Sequence, residues 1–402
     1  MKNRVVITGI GAVSSIGIGK DAFWNGLIKG RSGISPVTSF DTSDHFTHLG
    51  GEVKNFKPEE FISEDDIKTY SRAAQFAVVS ARQSLLDADI EISQNSDKNI
   101  GVCYGTTTGP IQVIEDINNI LIEKNEFPAR LFSQLSPHTA LAAINREFML
   151  NGPSFVLSTA CSAGNYAIGF GYDLIRLNRS KIIISCASDA FSRISFTGFN
   201  QFSAVAPEKC QPFDKNRRGM MVAEGAGALV LESLEHALKR GINIYAEIIG
   251  YGLSCDARHM TSPSVDGITQ CMRKALMEAG IAPEEVDYIS AHGTGTPAND
   301  RTECAAIKEV FGDLYRNIPV SSIKSMLGHT MGAASALEAI TCALAIKNGI
   351  IPPTINYETP DPECDIDCVP NEARRHTVNV ALNNSYAFGG NNASLVLKKF
   401  SD

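Results

Sequence analysis

Near residue 250 the order of apolar runs and small-residue turns starts again, and this restart limits the fold more than any other feature of the chain. Before it, the segments IGVCYG (100–105), Phe155 to Leu157, KIIISCASDA (181–190) and AEGAGALVLES (223–233) read as strands, with stretches of helical periodicity between them. After it come strand AEIIGYGLS, a helix over 266–279, strand DYISAHGTGT, a helix from Arg301, strand PVSSIKS and a helix over 331–347. Each half closes on an apolar hairpin-like pair, VAEGAGALVLES in one and VNVALNNSYAFGGNNASLVLKK in the other. Strands alternating with helices, some of them apolar on both faces, describe an α/β protein with buried sheets. The expectation is a duplicated α/β unit divided into 1–250 and 251–402.

The first stretch, RVVITGIGAVSSIG, reads as a strand running into a glycine-rich turn. It has Gly9 and Gly11 but Ser14 where a third glycine would stand, and no acidic strand end follows at the distance a dinucleotide site needs. A tight strand-to-helix connection is the better reading. Helices are expected over 21–29, 71–88, 111–124 and 137–149. Asn151-Gly152-Pro153 breaks the chain before the next strand, and 192–222 is read as loop-rich.

A formal net charge of −8 argues against general nucleic-acid binding but leaves room for a local basic patch facing an acidic protein. Ten cysteines without regular spacing, and no leader-like start, point to free thiols in a reducing compartment, the cytoplasm. Cys364 and Cys368 form a lone C-x3-C with no second pair or histidine near it, so no metal site is expected. No apolar run is long enough to span a membrane.

Chemistry concentrates around Cys161, in SFVLSTACSAGNYAIGFG. A strand ends there and a helix begins, with Ala163, Ala167, Phe170, Leu174 and Leu177 at helical spacing as its buried stripe. A thiol at a helix N-terminus feels unpaired N–H groups and the positive end of the peptide dipoles, which favours thiolate and lowers its pKa. A free cysteine is as readily one more small core residue. His292, in SAHGTGTP, and His329, in KSMLGHTMGAASALEA, also stand at strand ends in glycine-rich turns, and sites in α/β sheets gather at strand carboxyl ends. Three reactive side chains in three such turns favour a nucleophilic site. Lys324, five residues before His329, could tune that histidine or hold a carboxylate, and Glu338 could pair with Lys324.

STACSAG, HGTGTP, SIKSMLGHTMGAA and NSYAFGG, in this order, resemble the elongating β-ketoacyl–acyl carrier protein synthases with a Cys-His-His site. PFDKNRRGMMVAEGAGALVLE and PECDIDCVPNEARR add to the likeness, which spans nearly the whole chain. The resemblance implies a thiolase-like fold of two duplicated halves in αβαβα layers, normally a homodimer. It implies that Cys161 takes an acyl chain from an acyl carrier thioester, and that His292 and His329 stabilise the enolate formed when malonyl–carrier protein loses carbon dioxide. The enolate carbon then attacks the acyl group to give a β-ketoacyl product. By the same resemblance the backbone N–H groups of Cys161 and Phe388 form an oxyanion hole, Lys324 and Glu338 support the site, Thr294 and Thr296 bind the pantetheine arm, and Phe388 is a gate. Thr108 lies in a turn that approaches the acyl pocket in the family. No cofactor of the chain's own is implied; the phosphopantetheine belongs to the carrier protein.

Several positions depart from the family pattern: Ala387 and Asn391 for glycine and threonine at the gate, Ser335 for glycine, Arg218 for aspartate, Met220 for phenylalanine, Ala223 for glycine, and Thr106-Thr107-Thr108 for a more glycine-rich turn. Alanine at 387 suggests a gate that opens differently. None removes a catalytic group, but together they point to a specialised polyketide or polyene synthase as well as to fatty-acid elongation. The alternative is the active subunit of a type II polyketide heterodimer with a non-catalytic chain-length partner. A thiolase is the remote one, since a second cysteine is missing near Asn384, Ser385 and Tyr386.

Overall fold

A computed structural model describes residues 3–91 and 99–401. Its sheet is built from two five-stranded sets with one shared design. In the first set, Val5–Ser14, Gly225–Ser233, Ile182–Asp189, Ile100–Gly105 and Ser154–Leu157 lie side by side; in the second, Ala246–Cys255, Asn391–Lys398, Val380–Tyr386, Tyr288–Ser290 and Val320–Ser321 do. Both sets begin with two antiparallel pairings and finish with two parallel ones. Taken in chain order within each set, the strands lie as first, fifth, fourth, second and third in both. The sets join through three antiparallel pairs, Val5 with Ile248, Val6 with Glu247 and Ile7 with Ala246. The expected division at 250/251 falls within the strand Ala246–Cys255, which opens the second set.

Helices complete the layers. Arg72–Asp87 covers the outer face of the first set and Val265–Ala279 that of the second, while Ala163–Arg176 and Ala334–Asn348 pack together between the sets. Every residue from Ala334 to Ile346 is buried, as expected for a helix with sheet on two sides. This is the thiolase-like arrangement.

Gly9 and Gly11 do not form the expected turn. They lie inside the strand Val5–Ser14, where a Cβ on either would run into the Ser84 or Ser80 carbonyl of the outer helix. Gly250 and Gly252 do the same in the second set, against Ala279 and Cys271. Glycine here permits close helix-on-strand approach. The expected stripe on Ala163–Arg176 also shifts: Leu177 is exposed and Phe170 and Leu174 are only half-buried, because a helix sandwiched between two sheets buries Gly164, Ile168, Tyr172 and Ile175 as well.

Two further helices differ from expectation. Arg193–Gln201 forms within the segment read as loop-rich, capped by the Ser192 hydroxyl, which accepts from the Ser195 N–H at 3.1 Å. The helix expected from Arg301 starts at Pro297, with Thr296 as its cap and proline in the first turn, where its missing N–H costs nothing. Among the described residues, no helix is long and apolar enough to cross a membrane, and all ten cysteines are free thiols.

Candidate active site

The duplication brings the reactive residues together. In each set a 3-10 turn after the third strand opens a central helix: Ala160–Ser162 precedes Ala163–Arg176, and Met331–Ala333 precedes Ala334–Asn348, with the short helix Lys324–Leu327 lying between strand and turn in the second set. Cys161 lies within the first turn and His329 just before the second. His292 follows the second strand of its own set, Tyr288–Ser290. Cys161, His292, His329, Thr294, Thr296 and Phe388 all line one cleft.

The His292 and His329 rings stand edge to face, with centroids 5.5 Å apart. Burial holds both well below the usual histidine pKa, helped by the Lys324 charge and, for His292, by His329. Both rings are therefore neutral near pH 7. The backbone N–H of Met331 donates to Nδ1 of His329 at 3.1 Å, so the proton of this neutral ring sits on Nε2. His329 is clamped through its main chain too: its N–H donates to Met221 O at 2.6 Å and its carbonyl accepts from Ala223 N at 2.9 Å. The segment MMVAEGAG thus fixes a residue more than a hundred positions further on.

Lys324 is fully buried, donates to His292 O at 2.7 Å and pairs with Glu338. Neither lines the cleft; both sit behind His292. Burial lifts the Glu338 carboxyl to about 7, with Lys324 pulling it the other way. Thr294 and Thr296 bring their hydroxyls within 2.9 Å of each other on the cleft wall. Phe388 is half-buried at the mouth, its ring 5.8 Å from Phe199 and 6.1 Å from Phe202.

Cys161 corrects one expectation. Burial pushes its thiol up to about 11, against the pull of Lys324 and of the backbone N–H groups of Phe388 and of Cys161 itself. Helix-end donors are present as expected, but at a site with 5% exposure the cost of placing charge away from water exceeds them. The resting group is a thiol.

Thr108 lies outside the cleft lining. Its N–H and hydroxyl both bond to Asp189 Oδ1, at 2.9 and 3.0 Å. Beside Phe388, Ala387 has φ −108°, open to any residue, and positive φ falls on Gly389 and Gly390; alanine therefore imposes no strain here. Ser335 sits in the first turn of Ala334–Asn348, against the start of the Cys161 helix, its hydroxyl accepting from Asn165 N at 3.0 Å and donating to Cys161 O at 3.4 Å.

Sequence reasoning missed several groups. Glu303 accepts from the His292 and Gly293 N–H groups at 2.8 Å each, and Asp300 from Phe213 N at 2.8 Å and Gly295 N at 3.1 Å. Burial raises the Glu303 carboxyl to about 7. The available signal was an acid at each of the first two turns of a helix that follows a glycine-rich loop. Tyr386, 5.7 Å from His292 between ring centroids, and Phe199, on the unexpected helix, also line the cleft.

Two family models cover most of the chain: residues 2–237 match the β-ketoacyl synthase N-terminal domain and residues 245–358 its C-terminal domain. The chain belongs to the β-ketoacyl synthase family. It is 42% identical to the 3-oxoacyl-[acyl-carrier-protein] synthase 2 of Synechocystis, over 99% of each chain. Among solved structures it is similar to the ishigamide ketosynthase/chain length factor, with 44% identity, a TM-score of 0.97 and full coverage of both chains. It is similar also to a type II polyketide ketosynthase solved with its acyl carrier protein, at 32% identity, a TM-score of 0.92 and full coverage of both. As a β-ketoacyl synthase, the chain has its Cys161, His292 and His329 around one shared space.

Proposed function

We propose that the protein joins an acyl chain held on Cys161 to the two-carbon unit of malonyl–acyl carrier protein, with loss of carbon dioxide. The observation that carries this is the meeting of one buried thiol and two neutral imidazoles in a single cleft. Cys161 Sγ bonds to the acyl carbonyl carbon, the carrier's sulfur leaves and takes up the thiol proton, and an acyl-enzyme remains. N–H groups of Cys161 and Phe388 hold the oxyanion. The malonyl thioester then loses carbon dioxide, and Nε2–H of His329, with a donor from His292, stabilises the enolate oxygen. The enolate carbon attacks the acyl carbonyl, the C–S bond to Cys161 breaks, and the β-ketoacyl carrier leaves.

Lys324 and Glu338 support His292 from behind. Thr294 and Thr296 hold the phosphopantetheine arm that the carrier protein supplies, Phe388 gates the mouth, and Thr108 acts on the acyl pocket through Asp189. In this reading residues 1–250 bring the nucleophile and 251–402 the histidines, and the enzyme works in the cytoplasm. The departures at Ser335, Arg218 and Thr106 to Thr108 favour specialised polyketide or polyene elongation alongside fatty-acid elongation. Assembly is as a homodimer. The likeness to the ishigamide ketosynthase/chain length factor, at 44% identity, favours a second reading, a heterodimer with a chain-length partner.

Intact-mass measurement after incubation with a panel of acyl carriers tests the reaction. An acyl adduct is expected on the wild type and is absent from Cys161→Ala; an adduct that survives the substitution overturns the assignment of the nucleophile.

A further inference from the structure

Asp189 ends the strand Ile182–Asp189, is fully buried, and among the described residues its carboxylate is bonded by hydroxyl and backbone N–H groups rather than by a cation. Five donors serve it instead. Oδ1 accepts from the Thr106 hydroxyl at 2.7 Å and from the Thr108 N–H and hydroxyl at 2.9 and 3.0 Å. Oδ2 accepts from Thr107 N at 2.9 Å and from Gly332 N at 2.7 Å. The first four donors come from the turn after Ile100–Gly105. The fifth comes from the other half of the molecule, from the residue after Met331.

Met331 is the residue whose N–H fixes Nδ1 of His329, and it holds a left-handed backbone, φ 53°, that a long side chain adopts only at a cost. Such a turn persists only where its surroundings hold it. Gly332 fits the same role: a Cβ there would lie 2.7 Å from both Asp189 Oδ2 and Thr107 N, so only glycine lets the turn close on the carboxylate. A buried carboxylate without a cation is stabilised by the N–H and O–H dipoles aimed at it.

We infer that Asp189 is a positioning residue for His329: its carboxylate ties the Thr106–Thr108 turn to the strained Met331–Gly332 turn, and so keeps the Met331 N–H on Nδ1 and the proton on Nε2. The inference rests on the proposed decarboxylation at His329. It also explains why three threonines stand where a glycine-rich turn is expected, since two of their hydroxyls are donors to this carboxylate.

Asp189→Asn replaces one acceptor oxygen by an N–H₂ that faces two or more of the same donors. Carbon dioxide release from malonyl–carrier protein is expected to fall about tenfold to a hundredfold in kcat, as for a displaced catalytic group, with KM unchanged and with Cys161 acylation, followed by intact mass, no slower than in the wild type, since the Asp189 charge works against the Cys161 thiolate. Asp189→Glu, which keeps the charge, restores part of the rate. In histidine-labelled protein the ¹⁵N spectrum of His329 is expected to show Nε2–H alone in the wild type and a mixture of tautomers in Asp189→Asn. Equal loss of acylation and decarboxylation, or an unchanged tautomer, overturns the inference. Should Asp189→Asn fail to fold, Thr108→Val removes one hydroxyl donor and is expected to give the same split at smaller amplitude; wild-type decarboxylation in that variant overturns it equally. A wild-type protein that releases no carbon dioxide refutes the proposed reaction, and the tautomer measurement still decides the role of Asp189.

Discussion

Ala160 and Met331 carry the same left-handed backbone, φ 53° each, at the same place in the two halves. Each opens the 3-10 turn that leads into a central helix, and each follows a threonine: Thr159-Ala160-Cys161 in one half, Thr330-Met331-Gly332 in the other. Duplication has kept the strained turn and changed what it presents, a nucleophile in one half and the support of a histidine in the other. Strain of about 1 kcal/mol at alanine is offset when glycine removes it, because glycine is also freer in the unfolded chain. Ala160→Gly is therefore expected to leave the urea midpoint nearly unchanged. Ala160→Val, β-branched in a left-handed position, is expected to cost about 2 kcal/mol or more and to slow Cys161 acylation. Equal midpoints for the two variants would show that the turn carries no strain.

His329→Ala removes the Nε2–H donor while leaving Cys161, Phe388 and their N–H groups in place. Decarboxylation of malonyl–carrier protein is expected to fall by about a hundredfold to a thousandfold, the usual consequence of losing one fixed donor to a developing oxyanion. Acyl transfer to Cys161, followed by adduct mass, is expected to persist. Undiminished carbon dioxide release in this variant removes His329 from the proposed mechanism.

The sequence made the strand-end residues legible because small-residue turns after apolar runs are local patterns. Cys161, His292 and His329 each announce themselves within ten residues. The restart near residue 250 was legible for the same reason. Asp189 was not, since its meaning depends on donors at Thr106 and at Gly332, 83 and 143 positions away. Gly9 and Gly11 misled because a glycine that admits a neighbouring helix and a glycine that makes a turn look alike along the chain; only their repetition as Gly250 and Gly252 against a second helix tells them apart. The Cys161 thiol misled because helix-end donors are a local feature and burial depends on both halves packing together.

Lys324 and Glu338 form an ion pair with both side chains about 1% exposed. Removing one partner strands the other charge away from water. Lys324→Met is expected to lower unfolding free energy by about 3–5 kcal/mol, whereas Lys324→Met combined with Glu338→Leu recovers much of that loss, because no charge is left unpaired. Chemical denaturation at pH 7.5 checks both. Activity separates from stability here: the double variant is expected to stay slow, since Lys324 Nζ also holds the His292 carbonyl. A double variant less stable than Lys324→Met would show that packing around the pair, not its charge, sets the cost.

The Cys161 thiol, pushed up to about 11 by burial, sets an alkylation profile opposite to that of a preformed thiolate. The reactive fraction is the ionised one, and well below the pKa it rises about tenfold for each pH unit. Iodoacetamide labelling of the Cys161 peptide, quantified by mass, is therefore expected to accelerate about tenfold from pH 7 to 8 and again from 8 to 9, with no plateau in that interval. Cys255, the one exposed cysteine among the described residues, serves as the internal reference in the same digest. Lys324→Met removes a charge that pulls the thiol downward, so it is expected to slow labelling of Cys161 at every pH while leaving Cys255 unchanged. A rate for Cys161 that levels off near pH 7 would mean that the Phe388 and Cys161 N–H groups outweigh burial, and that the enzyme rests as a thiolate.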